Sequence, residues 1–385
     1  MPEPAVVIAG CGAISAVGCG VEPLRTALQN NLSGLRSVEK FNFPRFQSHI
    51  VGPALPEEAG AGDDPAWWLA NGALEQARAE AREILTQIPA ARIGLILSTT
   101  KANIEALERL TDGRPVSAAG LRHLRADLLA ADLAAAHGAS GPVQSVSLAC
   151  VSGLVAIAQG AQMLRRNEAD AVLVVGVDCL SEFVVAGFTA LKALDPIGCR
   201  PFDAARCGLS PGEAGAAIVL TRADAMASPA ITVLASGGSN DANHLTGPSR
   251  DGSGLAQAIR AALKAADLAP EQIDFIHAHG TGTLYNDAME ALALRTIFGA
   301  KCPPVSGSKG MLGHTLGAAG VIETIGCVQA MQGNFLPGTP RLNAAAEDAP
   351  ANLLREPRPG VRLRHVLKLN TGFGGMNGAL ILRNA

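Results

Sequence analysis

The 385-residue chain is expected to fold as an α/β protein made of two pseudo-symmetric halves, on three observations. Short apolar runs alternate with helical patterns along most of the length, the mark of sheets covered by helices. The composition is rich in glycine and poor in aromatics, with 43 Gly against 10 Phe, 2 Trp and 1 Tyr. Its interior must therefore be built from Ala, Val, Leu and Ile at close range. The helical pattern at 153–167 also recurs at 320–334, with Gly153/Gly320, Gln162/Gln329 and Asn167/Asn334 identical. Three identities are a weak signal alone, because amphipathic helices resemble one another.

Taken in order, the apolar runs predict strands at 5–9, 93–97, 143–147, 171–177, 216–220, 231–235, 275–277, 366–370 and 379–382. The longest unbroken run, AVLVVGV at 171–177, has strand length. Helical periodicity predicts helices at 65–85, 121–137, 153–167, 254–266 and 317–332, with another starting near Asp287. Strand–helix–strand alternation implies largely parallel sheets. The polar stretch 221–229, TRADAMASP, is the expected seam, dividing the chain into 1–225 and 226–385.

Charge and cysteine usage exclude several classes. With 31 basic and 34 acidic residues and no basic stripe interleaved with aromatics, nucleic acid is not an expected partner. No run approaches the roughly 18–20 apolar residues of a membrane span, and the amino terminus lacks the basic region of a signal peptide. The eight cysteines are scattered without CxxC spacing, so reduced thiols in the cytoplasm are expected and a zinc site is not.

Four segments carry candidate chemistry. Cys150 ends the run VQSVSLA and precedes the helix at 153–167. A thiol at a strand-to-helix turn is exposed at the sheet end, and the helix terminus is expected to lower its pKa. Its bland alternative is a small residue filling a strand end. In HAHGTGT, His277 and His279 are expected on opposite faces, with His277 packed in the strand and His279 opening onto a pocket. In SGSKGMLGHTLGAAG, His314 precedes the helix that echoes the Cys150 helix, and Lys309 with Glu323 is expected to orient its loop. In NTGFGG, the glycines around Phe373 suit main-chain donors facing a pocket, although an ordinary turn would read the same.

Together these segments resemble the β-ketoacyl-acyl carrier protein synthases of the elongating, thiolase-fold type. The resemblance extends from VVIAGCGAISAVG at the start through RPFDAARCGLSPGEAG at 200–215 to the closing NTGFGG. It implies a layered α-β-α-β-α architecture, Cys150 as the acyl-accepting nucleophile, and His279 and His314 as donors to a malonyl thioester. It further implies an oxyanion hole from the backbone N–H groups of Cys150 and Phe373, with Thr281, Thr283, Thr371 and Gly374 lining the substrate pocket. No metal or organic cofactor is implied. The expected partners are acyl- and malonyl-loaded carrier protein and a second subunit, identical or related.

Departures from the family pattern are visible. LSTTKANIEAL stands at 97–107 where many members carry a glycine-rich GTGxGG, Cys207 follows Arg206 where an acid is common, and Thr371 occupies the place of an expected gating aromatic. These changes suggest a secondary-metabolic synthase. Degradative thiolases would need a second cysteine in the last glycine motif, and GFGGMNG has none. A chain-length-determining partner subunit would have lost the nucleophile.

Overall fold

The computed structural model describes residues 4–54, 62–226 and 230–384. Ten strands form the main sheet path: β1 (Val6–Ser15), β2 (Ile93–Ser98), β3 (Val143–Val146), β4 (Ala171–Asp178), β5 (Ala214–Arg222), β6 (Thr232–Asn240), β7 (Phe275–His277), β8 (Val305–Ser306), β9 (His365–Gly372) and β10 (Met376–Arg383). Their spatial order is β3-β2-β4-β5-β1 followed by β6-β10-β9-β7-β8. The second half thus repeats the first in mirror order. Pairing repeats too: β2 is parallel to β3 and β4, and β7 to β8 and β9. Likewise β5 runs antiparallel to β4 and β1, and β10 to β9 and β6. The halves meet edge to edge at one residue pair, Val7 with Thr232.

The helices that cover these sheets are α1 (Pro65–Glu80), α2 (Ala126–Ala136), α3 (Ser152–Arg165), α4 (Glu182–Ala190), α5 (Ser253–Ala266), α6 (Leu284–Phe298) and α7 (Ala319–Gly333). Strand alternation sorts them into layers. On β4, Val172 and Val174 pack with α3 and α7, whereas Leu173, Val175 and Val177 pack with α1 and α2. On β10, Leu380 and Leu382 face α3 and α7, whereas Ala379 and Ile381 face α5 and α6. The order is therefore α-β-α-β-α, with α3 and α7 in the middle. A helix buried between two sheets must be apolar all round, and α7 is buried from Ala319 through Met331. The two helices touch at the glycines that match in sequence: a Cβ on Gly320 would fall 2.7 Å from the Gly153 carbonyl carbon.

Several expectations change. The sheets are mixed rather than largely parallel, because β9 and β10 are joined by only Phe373–Gly375, and so short a link can only reverse the chain. The first strand continues to Ser15, and helices at Val21–Gln29, Ile104–Thr111 and α4 were not foreseen. Strand β8 has two residues, too few to carry a periodic signal. In the expected seam, Thr221 and Arg222 belong to β5, whereas Ala227, Ser228 and Pro229 lie outside the described residues.

Candidate active site

Cys150 sits in a sharp elbow between β3 and α3. Ala149 before it takes a left-handed φ of 48°. The turn is held by Ser152, whose hydroxyl donates to the Ala149 carbonyl at 2.6 Å and accepts from Leu148 N–H at 2.7 Å. Burial pushes the Cys150 thiol up to about 11, against the opposing influence of Lys309 and Lys101. The expected lowering by the helix terminus does not prevail, because removing a thiolate from water costs more than one helix end returns. The thiol therefore rests protonated.

The two histidines come from the other half and meet Cys150 at the sheet ends. The Cys150 sulfur and one ring nitrogen from each of His279 and His314 all lie within 4.8 Å of one another. The imidazoles stand edge to face, their centres 5.2 Å apart. His279 Nδ1 lies 3.1 Å from Lys309 Nζ and 3.0 Å from Asn370 Nδ2. Both neighbours are donors, so Nδ1 must accept and the proton sits on Nε2. His314 Nδ1 accepts from Leu316 N–H at 3.2 Å, which sets the same tautomer. Burial, followed by Lys309, holds both imidazoles well below the usual histidine range. The result is two neutral rings whose free N–H groups are both on Nε2.

That protonation pattern also decides what the cluster suits. It is the one group among the described residues with metal-ligand spacing, but an ion would need unprotonated Nε2 atoms. The proton of His279 cannot move to Nδ1 while an ammonium lies against it. Two Nε2–H groups of this kind can donate to an oxygen acceptor.

Lys309 is more closely tied to His279 than to His314. Its ammonium donates to the His279 carbonyl at 2.6 Å and to Glu323 Oε1 at 2.7 Å, whereas its carbonyl accepts from Gly313 N–H at 3.0 Å. Glu323 also pairs with Lys368 at 2.9 Å. All three charges are buried, so two ammonium groups against one carboxylate leave a net positive charge behind the histidines. Although burial opposes its charge, the two lysines hold the Glu323 carboxyl well below the usual range.

Residues two apart in a strand share a face, so the expected opposite facing of His277 and His279 does not follow from their spacing. The two histidines differ because the strand ends at His277 and His279 lies in the loop beyond it, lining the cavity that His277 does not reach. β7 ends at His277, whose ring packs edge-on against Phe275. Burial and Lys368 push His277 down to about 3, and the same Lys309 and Lys368 act on His279. His277 belongs to the packing behind the site and does not line the cavity.

Carboxylates that the sequence reading passed over shape the loops. Glu290 accepts from the backbone N–H groups of His279 at 2.6 Å and Gly280 at 2.8 Å. Asp287 accepts from Thr281 N–H at 3.0 Å and Phe202 N–H at 2.7 Å. Burial raises Asp287 to about 6 and Glu290 to about 7. Asp178, at the end of β4, accepts from Thr100 N–H at 2.9 Å and Gly317 N–H at 2.7 Å, joining the Cys150 half to the His314 loop. The signal for Asp178 and Lys368 was an ionisable residue inside an apolar strand, which is rarely buried without a partner.

A cavity of about 700 Å³ opens onto this cluster. Thr281, Thr283 and Thr371 line it with Cys150, His279 and His314. Thr281 and Thr283 hydroxyls lie 2.8 Å apart, and Thr371 donates to Asn286 Oδ1 at 2.6 Å. Gly374 does not line the cavity: its N–H donates to the Leu245 carbonyl at 2.8 Å and its carbonyl accepts from Asn240 Nδ2 at 2.9 Å. The Phe373 ring does line it, tilted against Phe188 at 6.1 Å. A Cβ on Gly372 would fall 3.1 Å from the Cys150 nitrogen, so the final glycine loop lies directly against the elbow.

Comparison with known proteins agrees with this geometry. Family models described as Beta-ketoacyl synthase, N-terminal domain, and Beta-ketoacyl synthase, C-terminal domain, match residues 3–225 and 231–343. A putative polyketide beta-ketoacyl synthase 1 of Streptomyces halstedii is 33% identical, covering 98% of this chain and 97% of its own. The 3-oxoacyl-[acyl-carrier-protein] synthase 2 of Vibrio cholerae is 31% identical over all of both chains. Among solved structures, the ishigamide ketosynthase/chain length factor superposes with a TM-score of 0.92 at 30% identity, covering 100% of each chain. The chain belongs to the beta-ketoacyl synthase family of thiolase-fold condensing enzymes.

Proposed function

We propose that this protein is a 3-oxoacyl-[acyl-carrier-protein] synthase that loads an acyl group on Cys150 and extends it with a malonyl carrier protein. The observation that carries this reading is the meeting of one thiol with two neutral, Nε2-protonated imidazoles in one cavity. In loading, the Cys150 sulfur attacks the acyl thioester and its proton leaves with the carrier thiol. The backbone N–H groups of Cys150 and Phe373 receive the oxyanion. In condensation, the bond from malonyl C2 to its carboxylate breaks, carbon dioxide departs, and the electron pair forms an enolate. His279 and His314 donate to the enolate oxygen. C2 then attacks the acyl carbon, and the Cys150 sulfur leaves and takes up a proton.

Thr281, Thr283 and Thr371 are the proposed polar wall along which the substrate arm lies. Residues 1–225 and 226–385 are read as the two functional halves, the first giving the nucleophile and the second both histidines. Secondary metabolism is favoured by the polyketide relative and by the substituted segment at 97–107. All eight cysteines are unpaired, which suits a cytoplasmic location, and among the described residues no helix is long and apolar enough to cross a membrane.

Incubation with acyl carrier protein thioester, followed by mass spectrometry, tests the reading. The expected outcome is one acyl mass on Cys150, absent in Cys150→Ala. No adduct on the unmodified protein, or an undiminished one in the variant, would refute it.

A further inference from the structure

Lys101 stands in the segment where the sequence departs from the family's glycine-rich pattern. Its backbone is fixed by Asp178, which accepts from Lys101 N–H at 3.2 Å and from Thr100 N–H at 2.9 Å. Ala102, with a left-handed φ of 49°, turns the chain away, its N–H bonded to Thr99 Oγ1 at 2.9 Å. The lysine side chain is 17% exposed and lines the cavity that holds Cys150 and His314.

Counting donors isolates this group. An ammonium has three N–H donors. Those of Lys309 are directed at the His279 carbonyl, His279 Nδ1 and Glu323, and Lys309 is fully buried. Lys368 is likewise buried and engaged by Glu323 and the Leu369 carbonyl. Lys192, the other lysine in the cavity wall, is exposed to water, where a charge pair is worth little. Lys101 donates to Thr100 Oγ1, and Asp178 Oδ1 lies 4.0 Å away, beyond hydrogen-bond reach. It thus keeps donors for a ligand in a partly dehydrated wall. Its charge is felt by both Cys150 and His314.

We propose that Lys101 is the binding residue for the carboxylate of the malonyl extender, and so selects a carboxylated thioester over a plain acyl thioester in the second half-reaction. The inference rests on the condensing reading above. A malonyl carboxylate entering this cavity loses water and needs a charged partner. The pair is a ground-state interaction, because the carboxylate departs as neutral carbon dioxide. It therefore tightens binding of the extender without favouring the transition state.

The kinetic signature follows. In Lys101→Met, the KM for malonyl carrier protein should rise roughly ten- to a hundredfold, the range for losing a charge-assisted hydrogen bond, while kcat is held or rises. Lys101→Arg should recover much of the loss. Non-reactive amide analogues of malonyl- and acetyl-pantetheine provide the binding arm: the unmodified protein should prefer the malonyl analogue, and Lys101→Met should bind the two alike. Acyl mass on Cys150 in the same preparation shows that the variant is folded and the thiol competent. If the unmodified protein takes no acyl group, the condensing reading has failed rather than this one. Loaded protein that shows unchanged KM in Lys101→Met, or retains the malonyl preference, overturns the role. So does a variant in which iodoacetamide alkylation of Cys150 shifts to higher pH while KM is unmoved, since that assigns Lys101 to the thiolate.

Discussion

At the residue scale, the chemistry depends on where two protons sit. His279 and His314 are each fixed as Nε2–H donors by groups on the far side of the ring, one by Lys309 and Asn370, the other by a backbone amide. Burial, reinforced by the positive charge behind them, keeps both rings neutral at ordinary pH. Neutral donors stabilise an enolate oxygen without giving up a proton to it, and such preorganised donors typically supply about 10²–10³ in rate each. His314→Ala should therefore still take an acyl group on Cys150 but lose condensation by about that factor. Single-turnover mass analysis of loading, alongside assay of carbon dioxide release, separates the two steps. Equal losses in both would remove His314 from the enolate and place it in loading.

Among the elements, a buried histidine ties the outer helices together. Asp64 caps α1 by accepting from Trp67 N–H at 3.1 Å and also receives His123 Nδ1, whereas His123 Nε2 reaches Asp132 of α2 at 3.0 Å. The ring stacks on Trp67. Both ring nitrogens face carboxylates, so both must carry protons. Burial works against that charge, but the hydrogen bonds to Asp64 and Asp132 outweigh it and raise the pKa above the ordinary value. A raised folded-state pKa gives stability that is complete below the unfolded-state value and is lost as pH climbs through the folded one. His123→Gln should lower the melting temperature by on the order of 2 °C at about pH 6, with the difference shrinking in alkaline buffer. A pH-independent difference would mean that packing on Trp67, not charge, holds the helices. Because Asn103 N–H donates to the His123 carbonyl at 3.1 Å, this tie also supports the loop that carries Lys101. Glycine-marked loops made Cys150, His279, His314 and Phe373 legible in sequence. Asp287, Glu290 and His123 were not, because partners such as Phe202, His279 and Asp64 lie elsewhere in the chain and no local pattern records that. Lys368 showed only as a charge in an apolar strand, without its partner Glu323.

For the whole molecule, duplication has been made asymmetric where chemistry requires it. Position 150 of the first half is a cysteine, whereas residue 317, its counterpart at the sequence offset that brings Gly153 onto Gly320, is a glycine that donates to Asp178. The His314 backbone is bound to the first half, its N–H to the Ser210 carbonyl at 2.7 Å and its carbonyl to Gly212 N–H at 2.9 Å. The site exists only when the halves are docked. Their mirror order leaves two sheet edges, and these differ. β8 is two residues long and is covered by Leu353, whereas β3 is paired only with β2 and exposed over Val143–Ser145. An open edge of this kind invites another strand, and Val143 and Leu148, seven and two residues before Cys150, add exposed apolar surface. The second subunit expected from the family resemblance should therefore pair along β3, edge to edge, and should form part of the environment of the elbow. Val143→Lys combined with Leu148→Lys should convert the particle in light scattering from two chains to one. It should also reduce acyl loading of Cys150, because β3 leads directly into the elbow, while circular dichroism remains that of the folded chain. Retention of a two-chain mass in that variant would move the interface away from β3.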